Sequence, residues 1–268
     1  MSDKAKIIYE DILKLNEVTK QFVFSDGNML TAVYPKKINY KCGNSYQKID
    51  NTMVFDNKGF FKNKRNPLKV KMFSSTYCDG MARIEKDNFA VSWTYSRNIL
   101  SMCIPKIKKA SGLKNNTTFH VCQDKMVSEI MYKDIEENMD IEYKIDGLNL
   151  KERIILKNNK CNKRFKFLIK VENLNVTKNK NGEIEFKDIN ENTIFLIPKG
   201  TATDVLKDTK CEVSYEIEKE GEDIIIWVIP EERWVWSEKR VYPLAVDTII
   251  ISDIEGSKIQ SAYFNSDN

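Results

Sequence analysis

The chain has 268 residues, of which 41% are hydrophobic. This is enough to build one large or two ordinary domains, and it is not the composition of a disordered chain. Its 43 Lys and Arg residues against 39 Asp and Glu give a net charge of +4, which is weak for a nucleic-acid-binding protein of this size, so we expect no nucleic-acid partner. Basic residues crowd 58–71 and 106–109 while acidic residues crowd 134–146. Such opposed charges could favour head-to-tail self-association, and ordinary solvated edges rich in Lys are the simpler interpretation.

The N-terminal segment shows apolar residues at helical spacing. They are Ile7, Ile8, Ile12 and Leu15. The spacing predicts a leader or short helix at residues 1–20. Glu10 and Asp11 interrupt the apolar core that a secretory signal needs. The longest apolar run, IIIWVIP at 224–230, is far shorter than the ~18 residues of a membrane-spanning helix, so we expect no membrane span.

From residue 22 onward, apolar residues recur at every second position, which is typical of half-buried strands. FAVSWTY at 89–95 shows this period, and Asn-Gly, Asp-Gly and Glu-Gly pairs between such runs are turn signals. The pattern predicts an all-β protein with an antiparallel β-sandwich fold, built as two packed units, with one composite sandwich as the alternative. The predicted boundaries are 21–158 for the first β unit, 159–250 for the second, and 251–268 for a C-terminal strand or tail.

The stretch YKDIEENMDIEYKIDGLNLKERIIL, residues 132–156, holds seven carboxylates. Alternation and the Asp-Gly turn predict a hairpin in which Glu142 faces away from the core. Glu152 shares its strand parity with Leu150 and Ile154, so it is expected to point inward. A buried carboxylate costs several kcal/mol unless it is paired or protonated, so we predict that Glu152 makes a structural polar contact in the sheet. A catalytic acid is the alternative, and it needs a second carboxylate ~5 to 9.5 Å away.

No pattern predicts a metal ion, a cofactor or a set of catalytic residues. Residues 177–188 mimic a calcium loop, but Thr177 stands at the first ligand position, and an Asn-Gly hairpin fits better. The acidic loop at 134–140 is the other calcium candidate, with a solvated loop as the simpler interpretation. His120 and Cys122 lie two residues apart, and a buried strand is favoured over a catalytic dyad. The six cysteines lack zinc-ligand spacing and are expected to be free buried thiols.

Two tryptophans are the remaining candidate site. Trp234 and Trp236 in RWVWSEK lie two residues apart, which on a strand places both rings on one face, where they could stack on a sugar. Aromatic residues at this spacing more often fill a sandwich core. The basic run at 58–71 contains Phe60 and Phe61, but it carries no RNA-binding motif.

Five segments in chain order carry a family resemblance. They are TAVYPKKINYKCGNSYQKIDNTM, YKDIEENMDIEYKIDGLNLKERIIL, IFLIPKG, RWVWSEKRVYPLAVDTII and KIQSAYF. Together they resemble the β-rich non-repeat region upstream of RHS/YD repeats and DNRLRE domains in bacterial wall-associated or secreted proteins. One departure lies at Val246, Asp247 and Thr248, where the family has a proline after the aspartate. The resemblance implies a presentation or assembly module at the cell surface or in secreted material, although the chain shows no signal peptide.

The sequence therefore predicts a non-enzymatic structural or assembly module. Protein partners or self-association are expected more than a small-molecule ligand, and no nucleic acid is expected. A carbohydrate-binding β-sandwich module is the alternative, which requires Trp234 and Trp236 to form an exposed platform. A hydrolase is the third hypothesis, and it requires a cleft with two converging carboxylates.

Overall fold

The computed structural model describes residues 5–11, 15–73, 80–95, 106–108, 125–162, 164–206, 209–221 and 223–254. Regular structure in these residues is almost entirely β-strand, with a single four-residue helix among them. Paired strands run antiparallel in this part of the chain, as in the hairpins that flank Gly147 and Gly182. Both glycines have positive φ angles, +60° and +83°, which the tight turns require. The predicted all-β, antiparallel sandwich-type fold is confirmed.

Two small sheets form the N-terminal part. The first contains β1 (Ile7–Glu10), β2 (Thr19–Phe24) and β3 (Met29–Val33). The second is a hairpin of β4 (Asn39–Cys42) and β5 (Ser45–Lys48). Tyr34, Ile38 and Ile49 pack with Met126 in a minor apolar cluster that attaches these sheets to the rest of the molecule.

The remaining strands form one long antiparallel ladder. Its first strands are β6 (Asp50–Asp56), β7 (Phe60–Arg65), β8 (Lys69–Phe73), β9 (Ala82–Lys86), β10 (Phe89–Tyr95) and β11 (Lys106–Lys108). These are followed by β12 (Val127–Glu136), β13 (Met139–Asp146), β14 (Asn149–Leu156), β15 (Phe165–Glu172), β16 (Asn175–Lys178) and β17 (Ile184–Lys187). The last elements are β18 (Thr193–Ile197), β19 (Gly200–Thr203), β20 (Lys210–Glu220), β21 (Asp223–Pro230), the helical turn α1 (Glu232–Val235) and β22 (Leu244–Ile251).

Pairing does not follow chain order. Strands β6 to β10 pair successively, and the ladder continues through β15, β21, β20, β19, β22, β14, β13, β12 and β11. Strand β18 pairs with β22 and carries β17 and β16. The ladder folds back on itself, so that β6 at one end lies near β12 at the other. The backbone N–H of Asn51 in β6 donates to the carbonyl of Lys125, just before β12, at 2.6 Å.

The folded ladder encloses one main apolar core. Ile141, Tyr143 and Ile145 of β13 face it, as their alternation predicts, and none is more than 2% exposed. From β10, the ring of Trp93 meets that of Tyr143 edge to face, with centroids 6.0 Å apart. The core therefore joins strands that are distant in sequence, and its interior positions come from the period-two pattern.

Three buried asparagines tie the β6–β7 hairpin to the β13–β14 turn. The amide of Asn51 donates to the carbonyls of Met126 (2.8 Å) and Gly147 (2.9 Å). Its Oδ1 accepts the amides of Asn63 (3.1 Å) and Asn66 (2.7 Å). All three asparagines are at most 5% exposed. Since an unpaired buried polar group costs about 1 to 3 kcal/mol, this amide cluster specifies how the hairpin docks.

The sequence predicted a short N-terminal helix and a boundary between two β units near residue 158. The N-terminal helix is wrong, because residues 7–10 form β1 and pair with β2. Pairing partners outweigh local spacing there, since a run of isoleucines suits a strand as well as a helix. The division near residue 158 stays a prediction; β10 pairs with β15 and β14 pairs with β22 across it.

Candidate functional site

A charged groove of about 300 Å³ lies on the outer face of β12, β13 and β14. Side chains alternate between the two faces of a strand, so the residues of these strands that do not face the core line the groove. Its lining includes Glu129, Glu142, Lys144, Asp146, Lys151 and Arg153. The expectation that Glu142 faces away from the core is confirmed.

Arg153 is the most firmly held cation of the charged groove. Its Nε donates to Asp247 Oδ1 (2.7 Å) and its Nη2 to Oδ2 (3.2 Å), a two-pronged pair. The remaining Nη1 lies 3.8 Å from Glu142 Oε2. Burial alone would raise the pKa of Asp247, but hydrogen bonds from Arg153 and Lys151 outweigh it and hold that pKa below its ordinary value. Arg153 therefore stays charged, with one edge turned toward Glu142.

Two lysines of the groove face each other across neighbouring strands. Lys144 in β13 is directly opposite Lys151 in β14, an arrangement in which like charges repel. Lys144 Nζ lies 3.3 Å from Glu129 Oε1, and Lys151 Nζ lies 3.0 Å from Asp247 Oδ2. Both lysines are more exposed than their carboxylate partners, at 41% for Lys144 against 24% for Glu129 and 35% for Lys151 against 15% for Asp247. The ammonium groups of both lysines therefore reach solvent within the groove.

Glu152 points into the core, as its strand parity predicts, and is 6% exposed. The hydroxyl of Tyr143 donates to its Oε2 at 2.7 Å, and the indole N–H of Trp93 lies 3.2 Å from the same oxygen. The hydroxyl of Thr248 donates to Oε1 at 3.4 Å. These donors come from three different strands, β13, β10 and β22. Its role as a structural anchor stays a prediction.

The surroundings of Glu152 favour its protonated form. Burial raises its pKa to about 7, although the hydrogen bonds from Tyr143, Trp93 and Thr248 act in the opposite direction. Burial and the nearby carboxylate also raise the pKa of Tyr143 well above its ordinary value. Beside the carboxyl lies a cavity of about 40 Å³ with mainly apolar walls. Within the described residues Glu152 forms no ion pair, so no cation offsets the effect of burial on its pKa.

The acidic loop between β12 and β13 is partnered by cations and donors. Lys157 Nζ lies 2.6 Å from both Asp134 Oδ1 and Asp140 Oδ1. Glu136 accepts the hydroxyl of Tyr95 at 2.6 Å. In the described ranges, no group of three His, Cys, Asp or Glu side chains is placed to hold a metal ion. The other calcium candidate is the predicted hairpin, in which β16 and β17 pair.

Trp234 and Trp236 do not form the expected face of a strand. Trp234 lies in the helical turn α1, which Trp236 ends, and residues two apart on a helix are about 200° apart around its axis. Both rings are half-buried against the main core. The guanidinium of Arg240 covers the Trp234 ring, 4.6 Å from its centroid. The two residues therefore supply no shared exposed platform.

Several predicted positions lie elsewhere. His120 and Cys122 fall outside the described residues. Cys211 is a buried free thiol as expected, Cys161 is half-buried, and the expectation is wrong for Cys42, which is exposed at the end of β4. The small β4–β5 hairpin is too thin to bury that side chain. No helix in the described part of the chain has the length and hydropathy needed to cross a membrane.

Comparison with known proteins finds relatives that are named as tRNA nucleases. No family model matches it. It is 28% identical over 144 residues to "tRNA nuclease WapA" of Bacillus subtilis (strain 168), to "tRNA3(Ser)-specific nuclease WapA" of Bacillus spizizenii and to "tRNA(Glu)-specific nuclease WapA" of Bacillus subtilis subsp. natto. The match covers 51% of this chain and 6% of each relative, so the chain spans a small part of the curated relatives that it matches.

These relatives contradict the functional expectations from the sequence. A non-enzymatic structural or assembly module, and the carbohydrate-binding alternative, conflict with relatives that are named as nucleases. The exclusion of nucleic acid conflicts with their naming as tRNA-directed proteins. Net charge averages over the whole molecule and does not show where charges lie, whereas strand alternation brings Lys144, Lys151 and Arg153 to one face, together with Glu129, Glu142 and Asp146.

Sequence reasoning did not find the charged groove as a site. It placed Glu142 on the outer face but did not connect it with Arg153 or Asp247, which lies 94 residues from Arg153 in the chain. The available signal was the alternation of charged residues in EYKIDGLNLKER, which puts acids and bases on one face of a hairpin. The contribution of β22 required the tertiary register.

Proposed function

We propose that this chain is part of an RNA-cleaving protein that acts on tRNA. The observation that carries the proposal is the match of 144 residues to three proteins named as tRNA nucleases. The chain covers 6% of each relative, so the activity and substrate of the whole relatives enter here as a proposal. The charged groove is the described surface whose chemistry suits this reaction best.

RNA cleavage by the adjacent 2′-hydroxyl has two chemical requirements. A base must take the hydroxyl proton as the 2′ oxygen bonds to phosphorus, and cations must stabilise the charge that develops on the phosphate oxygens. The bond from phosphorus to the 5′ oxygen then breaks, and that oxygen takes a proton from solvent. A carboxylate next to a guanidinium meets both requirements, and Glu142 and Arg153 lie side by side in the groove.

Four residues of the groove, and Asp247 beside it, have a role in this proposal. Glu142 is the base, and the Nη1 edge of Arg153 receives the phosphate. Asp247 is a positioning residue, because its two hydrogen bonds fix the guanidinium. Lys144 and Lys151 bind neighbouring phosphates, which relieves the repulsion between their directly opposed charges.

The test uses the purified 268-residue chain, unfractionated tRNA, and gel analysis of the products in magnesium buffer. We expect cleavage that leaves 2′,3′-cyclic phosphate ends. Glu142→Gln is expected to slow cleavage by about 10² to 10⁴-fold, the usual contribution of a general base, while tRNA binding persists. Glu216→Gln is the matched control, since Glu216 is an exposed carboxylate paired with Arg164 on another face.

Two results would count against the proposal. A chain that neither binds nor cleaves tRNA refutes it as a whole. Cleavage that is equally fast in Glu142→Gln and in Glu216→Gln refutes the assignment of the base to the groove. A double substitution of Lys144 and Lys151 by Gln is expected to weaken tRNA binding and to lower its salt dependence.

A further inference from the structure

The charged groove also contains two uncharged residues. Asn149 of β14 and Ile249 of β22 line it together with the charged side chains, and both are half-buried. The side-chain oxygen of Asn149 is buried, yet it accepts no hydrogen bond from any described residue. An unpartnered buried acceptor destabilises a folded protein. This oxygen is therefore a candidate contact for a ligand that brings a hydrogen-bond donor.

The turn between β13 and β14 holds Asn149 in place. Asn149 is the first residue of β14 and lies directly opposite Asp146, the last residue of β13. Between them, the carbonyl of Gly147 is bound by the amide cluster, and Leu148 packs against the minor apolar cluster. An asparagine that stabilises a turn bonds to nearby backbone through its side-chain oxygen, which Asn149 does not do. The fold therefore positions this side chain without using its acceptor.

Strand register puts the proposed phosphate contacts beside these two residues. Lys151 lies directly opposite Lys144 on one side and Ile249 on the other, and Asn149 is two residues before Lys151 on the same face of β14. Neighbouring strands are about 4.8 Å apart, and residues two apart on a strand are separated by about 6.7 Å. In a nucleotide a single sugar joins the phosphate to the base. A phosphate held by Lys144 and Lys151 therefore leaves its base within reach of Ile249 and Asn149.

The two uncharged residues suit different parts of a base. Ile249 offers an apolar side chain to the flat face, and Asn149 offers a carboxamide to the edge. The last side-chain torsion of asparagine is soft, so a small rotation turns Oδ1 toward the groove. Cytosine and adenine carry an amino group beside a ring nitrogen, which complements the acceptor and donor of a carboxamide. That edge is free only in an unpaired base.

Asp146 adds a second acceptor at the same end of the groove. Its carboxylate binds the ammonium group of Lys36, and its side chain remains 42% exposed. An amino group has two N–H donors, so one can donate to Asn149 and the other to Asp146. Uracil has a carbonyl oxygen in place of the amino group of cytosine, and a carboxylate repels that oxygen. The pair of acceptors therefore favours bases that carry an amino group.

We propose that Asn149, Asp146 and Ile249 form a base subsite, which binds an unpaired cytosine or adenine of the RNA through its amino group. The inference rests on the proposed function, since it assigns a further contact to the same RNA in the same groove. It deepens that function, because phosphate contacts are independent of sequence, whereas a contact with a base edge selects the base.

The experiment measures fluorescence anisotropy of two labelled hexanucleotides with the full chain. They are 2′-O-methyl hexacytidylate and 2′-O-methyl hexauridylate, which match in length and charge and cannot be cleaved through the 2′ oxygen. The unaltered chain is expected to bind the cytidylate about 5-fold to 100-fold more tightly. Asn149→Ala is expected to weaken cytidylate binding until the two affinities agree within about 2-fold. Asp146→Asn should lower the ratio as well, since an amide can donate to the carbonyl oxygen of uracil.

Controls separate the base contact from phosphate binding and from folding. Lys151→Gln is expected to weaken binding of both hexamers equally and to leave their ratio unchanged. Asn175→Ala removes an exposed asparagine from strand β16, outside the groove, and is expected to change neither affinity. Asn149→Ala removes a buried acceptor without a partner, so the midpoint of its urea unfolding should equal or exceed that of the unaltered chain. A role in folding alone would lower that midpoint and leave the binding ratio unchanged.

Three results would overturn the base subsite. They are equal affinities of the unaltered chain for the two hexamers, an unchanged ratio in Asn149→Ala, and an equal loss in Asn175→Ala. Failure of the proposed function would be visible separately, as an absence of tRNA cleavage or as equally fast cleavage by Glu142→Gln and Glu216→Gln. A preference for cytidylate that depends on Asn149, in a chain that does not cleave tRNA, supports the base subsite and refutes the cleavage. Cleavage that depends on Glu142, without a preference for cytidylate, refutes the base subsite alone.

Discussion

Replacing Glu152 by glutamine is expected to change how the stability of the protein depends on pH. The buried carboxyl has a pKa of about 7, against an ordinary value of 4.5. The folded protein therefore holds this proton more tightly than the unfolded chain. The resulting stabilisation is fully present below pH 4.5 and is lost as the pH rises through about 7. At higher pH, folding must bury the ionised carboxylate of Glu152. This carboxylate accepts hydrogen bonds, but among the described residues no cation forms an ion pair with it.

The magnitude follows from the shift. A difference of about 2.5 pKa units is worth about 3 kcal/mol at 1.36 kcal/mol per unit, and most of it falls between pH 5 and pH 8. Over this range the free energy of unfolding of the unaltered protein should fall by about 2 to 3 kcal/mol relative to that of Glu152→Gln. The glutamine carbonyl can still accept from Tyr143 and Trp93, so the packing is retained.

The assay is urea unfolding followed by tryptophan fluorescence and circular dichroism at pH 5, 6, 7 and 8. The difference in unfolding free energy between the two proteins cancels the contributions of all other titrating groups. Glu216→Gln, which removes an exposed carboxylate, should follow the pH dependence of the unaltered protein. A difference between Glu152→Gln and the unaltered protein that is zero at every pH refutes the reasoning, as it would show that Glu152 makes no structural contact that depends on its charge.

Two further substitutions test the packing of the ladder. Asn51→Ala leaves the carbonyls of Met126 and Gly147 without its donors and should lower the free energy of unfolding by about 3 kcal/mol or more, measured by urea unfolding. The exposed turn variant Asn57→Ala is its control, and equal stability of the two variants would contradict the role of the amide cluster. Gly200→Ala would place a methyl group 2.6 Å from the carbonyl oxygen of Asp247 and 3.0 Å from the hydroxyl of Tyr215, so it should destabilise by about 1 to 3 kcal/mol. An unchanged thermal midpoint, compared with that of Thr201→Ala, would show that β19 and β22 move apart without cost.

Local alternation predicted the parts of the fold that depend on one strand at a time. The inward parity of Glu152 and the outward parity of Glu142 follow from the two-residue period of a strand, which any correct strand must obey. The Asn-Gly hairpin between β16 and β17 is likewise a property of neighbouring residues. Features of this kind are encoded within a few residues and can be read from the chain.

Local spacing failed where pairing or helical geometry decided the outcome. The spacing of Ile7 and Ile8 with later apolar residues suggested a helix, yet pairing with β2 makes residues 7–10 a strand. The spacing of Trp234 and Trp236 suggested a common face of a strand. The two residues lie instead in a helical turn, where they point to nearly opposite sides of the helix axis. Short apolar segments are compatible with either conformation, and contacts with the rest of the molecule select one.

By itself the sequence determined the strand period, the turns and the side of the sheet that each residue faces, because these are properties of consecutive residues. Only the tertiary structure decided which distant groups meet. Trp93 reaches Glu152 across 59 positions, and Thr248 across 96. Asp247 fixes Arg153 in the charged groove in the same way. Register between strands brings these residues together, and register depends on how all the faces bury their apolar side chains at once.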